Sequence, residues 1–487
     1  MADKNLHILF ASAEAVPFSK VGGLGDVVGS LPQAIKRLDP KSLDIRLILP
    51  FHSYTKEQNL PIRKMGGFSF IANGQQIFCD IFISRNGDVP VYLLDNDQIN
   101  HNSPIYYGDW NLDGMKYATF SLAILEAAKW LGWKVDILHA HDWHTALALH
   151  ALRTTYRDDP FFAETRTVIS IHNLPFNGHG SQQAMSTLGF IPSVDPDLPD
   201  WARFTPLPLG IAAADKIIPV SEGYAREILT HQFGCGMEAY FNAHIDKIQG
   251  ITNGIDPSLW DPETDQALPH PYSANSLEGK LLIKAEFQQH AGFDVNPVIP
   301  LLTVVSRIDY QKGIDLIRKG LPLLMDQPWQ LAILGSGNTE LENQIRALAS
   351  DHPRRIAAFI KYDDSLARLL YASGDIFLMP SLYEPCGLSQ MIAMRYGNIP
   401  LATATGGLQD TIIDVQTSPE NGTGFLFTDK SVEGFTTALK TVLARFSEPS
   451  DWVQIMINAM RHDFSWQKPA AKYLQIYQNL LNFQPER

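Results

Sequence analysis

The sequence predicts an α/β protein built from two doubly wound, mostly parallel sheets, and three observations lead to this fold class. Short apolar runs bounded by turn residues alternate with amphipathic helical patterns, which is typical of parallel sheets covered by helices on both faces. The length of 487 residues exceeds what a single hydrophobic core usually holds. A Pro- and Asp-rich stretch without periodicity, residues 256–272, separates two such series of patterns.

The predicted strands place the candidate functional residues, because ligands of open α/β sheets bind beyond the carboxyl ends of strands. In the first series, strands are predicted at Leu6–Ala13, Asp44–Leu49, Gln76–Ile83, Val89–Leu94, Asp136–Ala140, Thr167–Ile171, Lys216–Pro219 and Lys247–Thr252. In the second series, they are predicted at Leu301–Ser306, Gln330–Leu334, Arg355–Ile360, Ile376–Pro380 and Ile399–Thr403.

The domain boundaries follow from the same patterns. We expect an N-terminal domain over residues 1–255, a linker over 256–272, a C-terminal domain over 273–465 and a helix over 466–487. The last segment has a helical pattern and can pack back on the first domain.

The composition argues against several classes of function. With 39 basic and 52 acidic residues the net charge is −13, which opposes general nucleic-acid binding. The sequence contains no apolar run of membrane-spanning length, and its start does not resemble a signal peptide. Cys79, Cys235 and Cys386 form no C-x-x-C pair, so neither a disulfide framework nor a structural zinc site is expected. These features predict a cytoplasmic protein.

The loop after the first predicted strand, Lys20-Val21-Gly22-Gly23-Leu24-Gly25-Asp26-Val27, is rich in glycine and precedes a helical pattern. Glycine lets backbone N–H groups approach an anion, and the start of a helix carries partial positive charge. Lys20 adds a full positive charge. The loop therefore indicates a phosphate-binding site, with a tight βα turn whose glycines serve packing alone as the alternative.

Polar loops also follow strands of the second series. Arg307 and Lys312 follow its first strand, where they can neutralise a diphosphate or simply form a solvated turn. Glu384 precedes a Pro-Cys-Gly turn at a helix start, and this arrangement can orient sugar hydroxyls while the helix start receives phosphate. Thr405-Gly406-Gly407-Leu408 forms a further glycine-rich entry into a helix.

In the first series, polar residues follow three strands, as His139-Ala140-His141-Asp142-Trp143-His144, Ile171-His172-Asn173 and Asn253-Gly254-Ile255-Asp256. The histidines raise the possibility of a zinc site, but no cysteine or glutamate completes a familiar ligand set. Contacts to a sugar or burial in the core are favoured over metal binding. Trp143 and the aromatic residues near Tyr106 could stack on sugar rings or belong to the core.

Taken in order, these motifs resemble those of bacterial-type glycogen/starch synthases. The matching segments are Lys-x-Gly-Gly-Leu-Gly-Asp-Val, His-Asp-Trp-His, Ile-His-Asn, Asn-Gly-Ile-Asp, Ser-Arg followed by Gln-Lys-Gly, Glu-Pro-Cys-Gly-Leu and Thr-Gly-Gly-Leu, and they run from Lys20 to Leu408. The resemblance implies a GT-B fold, in which two Rossmann-like domains face each other across a cleft. It also implies transfer of glucose from ADP-glucose to the non-reducing 4-hydroxyl of an α-1,4-glucan with retention of configuration, without a metal or other cofactor.

The resemblance further implies roles for individual residues. The catalytic set comprises His172, Arg307, Lys312 and Glu384. The acceptor glucan would lie near Asp142 and Trp143. The donor would be bound by Lys20, Gly22, Gly23, Asp26, Asn253, Tyr362, Cys386, Gly387, Leu388, Ser389, Gly406 and Gly407.

Three positions bear on how far the resemblance extends. Val21 stands where many members carry Thr, and Glu222 stands in place of the Pro of the commoner Ser-Pro-x-Tyr. Ile392 stands where related retaining transferases often place a second glutamate, which argues against a sucrose-synthase-like enzyme. The alternatives are a GT-B transferase that uses another nucleotide sugar, such as UDP-glucose, or a small acceptor, and a non-catalytic glucan- or nucleotide-binding homologue.

Overall fold

A computed structural model describes residues 5–482. The chain divides into two compact units, the first comprising Met1–Gly254 with Trp466–Arg487 and the second comprising Ile255–Ser465. Residues 256–272, predicted as a linker, lie within the second unit. Residues 1–4 and 483–487, the ends of the predicted first domain and C-terminal helix, lie outside the described residues.

The first unit contains a sheet whose described part has eight strands. They are β1 (Leu6–Ala11), β2 (Leu43–Pro50), β3 (Arg63–Ala72), β4 (Gln75–Asn86), β5 (Val89–Asp95), β6 (Ile137–His141), β7 (Arg166–Ile171) and β8 (Lys216–Pro219). The helices along this part of the chain are α1 (Gly23–Leu38), α2 (Ser53–Glu57), α3 (Trp110–Trp130), α4 (Trp143–Arg153), α5 (Gln182–Thr187), α6 (Pro206–Ala213), α7 (Glu222–Glu227) and α8 (Glu238–Ala243).

The strand order of this sheet is β3-β4-β5-β2-β1-β6-β7-β8. The six strands from β5 to β8 in this order are parallel. Strand β4 pairs antiparallel with β5, and β3 pairs antiparallel with β4 to form a hairpin at the edge. If the hairpin is left out and the remaining six strands are numbered along the chain, their order is 3-2-1-4-5-6, that of a doubly wound sheet. The topological switch point of such a sheet lies between its first and fourth strands, which are β1 and β6 here. The segment Ile8–Ala11 of β1 is buried on both faces, as expected for a parallel strand covered by helices.

The second unit repeats this architecture. Its strands are β9 (Leu301–Val305), β10 (Gln330–Gly335), β11 (Ile356–Ile360), β12 (Ile376–Met379), β13 (Ile399–Thr403) and β14 (Phe425–Phe427). Its helices are α9 (Glu278–His290), α10 (Ile314–Gly320), α11 (Thr339–Asp351), α12 (Asp364–Ser373), α13 (Ser389–Arg395), α14 (Gly406–Thr411), α15 (Val432–Phe446) and α16 (Pro449–Arg461).

All strand pairs of the second sheet are parallel, in the order β11-β10-β9-β12-β13-β14. This is again the 3-2-1-4-5-6 order, with the switch point between β9 and β12. One part of the core lies where α9 and α12 pack on this sheet, and it is formed by Phe287, Phe293, Leu301, Ala332, Leu334 and Leu370.

The last helix, α17 (Gln467–Asn482), belongs to the first unit. Its Tyr473 and Tyr477 are fully buried, and the Tyr477 hydroxyl lies 2.7 Å from Nδ1 of His139 on β6. Lys472 forms an ion pair with Glu222 at 2.6 Å. Within residues 5–482, no helix combines the length and apolar character needed to cross a membrane.

Three strands differ from the sequence prediction. The strand predicted at Lys247–Thr252 is wrong, because the chain there forms a 3₁₀ turn at Ile245–Lys247 and a single bridge to β8. Strands β3 and β14 were not predicted. The outer face of β3 is exposed and the strand contains two glycines, so its apolar pattern is weak, although the Asn73-Gly74 turn after it, with both φ angles positive, is a hairpin signal.

Candidate active site

Three loops of the second unit meet at the carboxyl ends of β9, β12 and β13, beside the switch point. They carry Arg307 and Lys312, Glu384 and Cys386, and Gly406 and Gly407 respectively. Gln311 joins the first two loops. Its side-chain amide donates to the Tyr383 carbonyl at 3.1 Å, and its backbone carbonyl accepts from the Leu382 N–H at 2.8 Å.

The central contact is a buried ion pair. Nζ of Lys312 lies 2.6 Å from Oε2 of Glu384, and the two side chains are 16% and 7% exposed. The Ser381 hydroxyl donates to the same carboxylate oxygen at 3.1 Å. Because a buried charge is retained only when it is paired and hydrogen-bonded, each partner holds the other in place beside the switch point.

Arg307 lies at the edge of the same group and is more accessible. Its guanidinium contacts Asp309 at 2.8 Å and Gln311 at 3.0 Å, and half of its side chain is exposed. Asp309 also accepts from the Lys312 N–H at 3.0 Å. The loop thus presents a guanidinium to solvent and keeps an ammonium in a buried pair, two cations suited to phosphate.

The third loop approaches the second closely because Gly407 has no side chain. A Cβ on Gly407 would lie 2.4 Å from Cα of Cys386, and the Gly407 N–H donates to the Glu384 carbonyl at 3.2 Å. The turn that carries Cys386 and Gly387 is fixed by Gln390, whose amide donates to both of their carbonyls at 3.1 and 3.0 Å. Leu388 is the N-cap of α13 and Ser389 is its first residue.

Gly313 is a position where a side chain would disturb this arrangement. Its φ is +68°, and a Cβ there would lie 2.0 Å from the Pro380 carbonyl oxygen. We expect Gly313→Ala to destabilise the protein by about 3 kcal/mol, from backbone overpacking together with positive-φ strain. Thermal unfolding measures this, with Gly292→Ala as the control, because Gly292 also has positive φ but open space around it. Equal losses in the two variants would contradict the packing argument.

Tyr362 is placed apart from these loops. It follows β11, the edge strand of the sheet, and its side chain is 72% exposed. The other predicted donor residues of this unit follow β12 and β13 or begin the helices after them.

In the first unit, the carboxyl ends of β6 and β7 are joined by Asp142. One oxygen of its buried carboxylate accepts from the N–H groups of His172 at 2.7 Å and Asn173 at 3.4 Å. Burial raises the pKa of the Asp142 carboxyl to about 7, with the two N–H groups acting in the opposite direction. Asp142 itself has a φ of +56° and a ψ of −171°, a strained backbone conformation that is otherwise almost confined to glycine.

A row of buried histidines lies beside Asp142. Nδ1 of His141 is 2.9 Å from Nε2 of His172, and the rings of His139 and His141 stack with centroids 4.3 Å apart. His139 also contacts Ser170 at 2.8 Å. His144 packs against Trp143 and Tyr117 instead. Within residues 5–482, no group of three or more His, Cys, Asp or Glu could hold a metal ion.

The buried histidines predict acid sensitivity. Burial lowers the pKa of His52 and His172 to about 3 and holds those of His139, His141 and His144 well below 6.5. Below pH 6.5 the unfolded chain therefore binds protons that the folded chain excludes, so their contribution to the free energy of unfolding falls as pH falls.

Three buried carboxyl groups act in the opposite direction. Burial raises the pKa of Asp142 to about 7 and also raises those of Glu14 and Asp113, so as the pH falls through these raised values the folded chain binds protons that the unfolded chain does not yet bind. Because the histidines outnumber these carboxyls, we expect a lower midpoint of thermal unfolding at pH 5 than at pH 7.5. His290, which is exposed in the last turn of α9, provides a control, since His290→Asn should leave this difference unchanged. A midpoint that rises on acidification would contradict the prediction.

The two aromatic residues near Asp142 differ in exposure. Trp143 is 5% exposed and lies edge-to-face against Tyr117, so protein contacts occupy most of its ring. Trp110, with its ring centroid 6.2 Å from that of Trp143, is 48% exposed.

The Lys20 loop lies between β1 and α1, on the other side of the first switch point. Nζ of Lys20 forms an ion pair with Asp26 at 2.8 Å. Gly22 is the N-cap of α1 and Gly23 its first residue. The N–H groups of Val21 and Gly22, within the loop that we predicted to bind phosphate, donate to the buried carboxylate of Glu14 at 2.5 and 3.0 Å. That part of the loop therefore already faces an internal anion.

Asn253 is buried, and its side-chain oxygen has no hydrogen-bond partner among the described residues. Its N–H donates to the Val220 carbonyl at 3.3 Å, next to the end of β8. Asn253 thus lies beside the carboxyl end of β8, the strand that neighbours β7.

The sequence reasoning missed several residues that shape these sites. Glu14 is one of them. It could have been found in the sequence as a carboxylate that directly follows an apolar strand and precedes a glycine-rich loop. Gln311 and Gln390 were missed because neutral amides carry no distinctive sequence pattern. Gly335, at the end of β10, was also missed, although a Cβ there would lie 1.9 Å from the Ser306 carbonyl oxygen.

Comparisons with known proteins agree on one family. Residues 7–243 match the starch synthase catalytic domain and residues 287–456 match glycosyl transferases group 1. The chain is 38% identical to a glycogen synthase of Syntrophotalea carbinolica over 97% of this chain and 98% of that protein. It is also 38% identical to a glycogen synthase of Clostridium perfringens over 98% of this chain and 99% of that protein.

A solved structure gives the same assignment. The catalytic domain of starch synthase IV from Arabidopsis thaliana, bound to ADP and acarbose, superposes with a TM-score of 0.91 at 29% identity, covering 99% of this chain and 100% of that one. The chain therefore belongs to the glycogen and starch synthases, a family of glycosyltransferases with the GT-B fold.

Proposed function

We propose that this protein is a glycogen synthase that transfers glucose from ADP-glucose to the 4-hydroxyl at the non-reducing end of an α-1,4-glucan, with retention of configuration. The observation that carries the proposal is the buried Lys312–Glu384 pair beside the switch point of the second sheet. It occurs in a chain that resembles glycogen synthases over nearly its full length.

The reaction breaks the bond between the anomeric carbon and the diphosphate oxygen of ADP-glucose. The 4-hydroxyl oxygen of the acceptor bonds to that carbon on the same face, and its proton passes to the departing phosphate. Arg307 and Lys312 are proposed to stabilise the negative charge that develops on the diphosphate, an electrostatic contribution of the kind that usually dominates such catalysis. Lys312 is held for this role by Glu384.

The remaining donor contacts of the second unit are proposed from the same resemblance. Glu384 and the Cys386–Gly387 backbone would hold the glucose hydroxyls. Leu388 and Ser389, at the start of α13, would receive phosphate, since the first N–H groups of a helix lack intrahelical partners. Gly406 and Gly407 would also contact the donor. Tyr362, whose side chain is 72% exposed, would pack on the adenine.

The first unit is proposed to contribute the groups around its own switch point. Lys20, Gly22, Gly23 and Asp26 would contact the donor, as would Asn253, whose buried side-chain oxygen has an unused acceptor position. The backbone carbonyl of His172 would stabilise positive charge on the anomeric carbon. Asp142 and Trp143 would lie on the acceptor side, with Asp142 acting through the backbone bond that it accepts from His172.

We further propose that transfer needs neither a metal nor another cofactor, because side-chain cations can neutralise the diphosphate. The expected result is an unchanged rate of glucosyl transfer after treatment with EDTA and removal of divalent ions. A loss of activity that Mg²⁺ or Mn²⁺ restores would contradict this. A cytoplasmic location stays a prediction from the sequence.

The experiment that tests the proposed function compares donors and analyses the product. Purified protein is supplied with ADP-glucose, UDP-glucose or GDP-mannose, with and without a maltooligosaccharide primer. We expect elongation of the primer from ADP-glucose, with new α-1,4 linkages that β-amylase digests. Preference for another nucleotide sugar would favour the alternative transferase, and ADP binding without transfer would favour a non-catalytic homologue.

A further inference from the structure

The segment between β1 and the Lys20 loop carries a carboxylate that none of the proposed catalytic steps uses. Glu14 is 3% exposed. Its Oε2 accepts from the backbone N–H groups of Val21 and Gly22, and its Oε1 accepts from the hydroxyl of Tyr106. All three donors are electrically neutral groups.

Burying a carboxylate is costly unless its hydrogen bonds are satisfied. Burial raises the pKa of Glu14, and Asp26 adds to this, whereas the bonds from Tyr106, Val21 and Gly22 lower it. The side chain therefore remains inside because these bonds offset its loss of hydration. The bonds from Val21 and Gly22 also fix two consecutive peptide groups of the glycine-rich loop.

The glycine content of the loop permits this arrangement. A Cβ on Gly25 would lie 3.0 Å from the Ser19 carbonyl oxygen and 3.3 Å from Oε2 of Glu14. With the peptide groups at 21 and 22 turned inward, the Val21 side chain is 55% exposed, and Lys20 reaches Asp26 at the start of α1.

Tyr106 is held from the opposite side. Asp113 on α3 accepts from the N–H groups of Tyr107 and Gly108 at 2.9 and 3.1 Å. Lys116, one turn further along α3, donates to the Ile105 carbonyl at 3.2 Å. The segment that carries Tyr106 is thus anchored to the long helix α3. The Tyr106 hydroxyl is therefore held in place where it donates to Glu14.

We propose that Glu14, supported by Tyr106, is a positioning residue that holds the Lys20 loop in the conformation that binds the nucleotide-sugar donor. The inference rests on the proposed function for the identity of the ligand. Glu14 contacts the loop from inside, so it acts on donor affinity through Lys20 and the glycines.

The test uses Glu14→Ala, Glu14→Gln and Tyr106→Phe in the full chain. Glutamine can accept both N–H groups through its oxygen and donate its amide to Tyr106, so it should preserve the loop. Tyr156→Phe is the matched control, because the Tyr156 hydroxyl donates to Glu126 at 2.8 Å in the same unit, away from the Lys20 loop.

We expect Glu14→Ala to raise the KM for ADP-glucose and the Kd for ADP about tenfold, equivalent to ~1.4 kcal/mol, with kcat changed less than KM. Tyr106→Phe should show a smaller rise in KM, whereas Glu14→Gln and Tyr156→Phe should resemble the wild type. Tighter ADP binding by Glu14→Ala would mean that the carboxylate competes with the ligand for the two N–H groups, and would overturn the inference.

Hydrogen–deuterium exchange separates failure of this inference from failure of the proposed function. In Glu14→Ala, the amides around Val21 and Gly22 should exchange faster, whether or not the protein transfers glucose. Unchanged exchange in a folded variant would overturn the positioning role even if the wild type is active. Faster exchange together with a wild type that lacks transfer would reject the glucosyltransferase proposal and retain Glu14 as the residue that holds the loop.

Discussion

Replacing Lys312 with alanine is expected to lower kcat for glucosyl transfer by about a thousandfold, the upper range for loss of one group that stabilises transition-state charge. The ammonium pairs with Glu384 at 2.6 Å, and both side chains are largely buried. A cation from the solvent therefore does not readily replace the missing ammonium in the variant. Initial rates at saturating ADP-glucose measure the effect.

Glu384→Ala should cause a comparable loss, because it removes the sugar-binding carboxylate and leaves Lys312 without its partner. Lys319→Ala is the matched control for both variants, since Lys319 pairs with Asp315 at 3.0 Å on the exposed side of α10. Circular dichroism establishes that each variant is folded. Near-normal rates for both Lys312→Ala and Glu384→Ala would show that the proposed roles are wrong.

Asp142→Ala is expected to have the second largest effect, lowering both stability and turnover. Its removal leaves the partly buried N–H groups of His172 and Asn173 without their acceptor, which costs about 2 kcal/mol of unfolding free energy. Since the backbone at His172 is proposed to face the anomeric carbon, kcat should fall about a hundredfold. Unfolding midpoints and kcat are measured on the same preparation.

Two comparisons make that result specific. Asp142→Asn should be milder, because one oxygen of Asp142 accepts both bonds and an amide oxygen can do the same. Asp136→Ala is the control, since Asp136 lies at the opposite end of β6 and accepts from the His7 N–H at 2.9 Å. It should lower stability without lowering kcat in the folded protein. Equal kcat losses for Asp136→Ala and Asp142→Ala would contradict the positioning of His172.

The sequence predicted the fold class, which the structure and the starch synthase comparison confirm. Buried parallel strands such as β9 and β12 appear as short continuous apolar runs because both of their faces are covered. The edge hairpin strand β3 was missed because its exposed outer face interrupts that pattern. The same reasoning predicted a strand at Lys247–Thr252 that the structure does not contain, because an apolar residue there, Ile251, is buried in the core without belonging to a strand.

The sequence also placed chemistry at strand ends, and the structure brings Lys312 and Glu384 together across 72 positions of sequence. The roles that we assign to them remain proposals. The sequence could not predict in which direction the backbone N–H groups of a loop point. The Lys20 loop was predicted to bind phosphate through backbone N–H groups, yet those of Val21 and Gly22 donate to Glu14. Such an internal partner depends on backbone geometry that no motif encodes.

The most direct test of the central proposal is incorporation of labelled glucose from ADP-glucose into glycogen by the purified wild-type protein. We expect label to accumulate in the polymer in a time-dependent manner, with release of ADP, and Lys312→Ala to abolish most of it. A wild-type protein that incorporates no glucose from either ADP-glucose or UDP-glucose, with both glycogen and maltooligosaccharide acceptors supplied, would contradict the account.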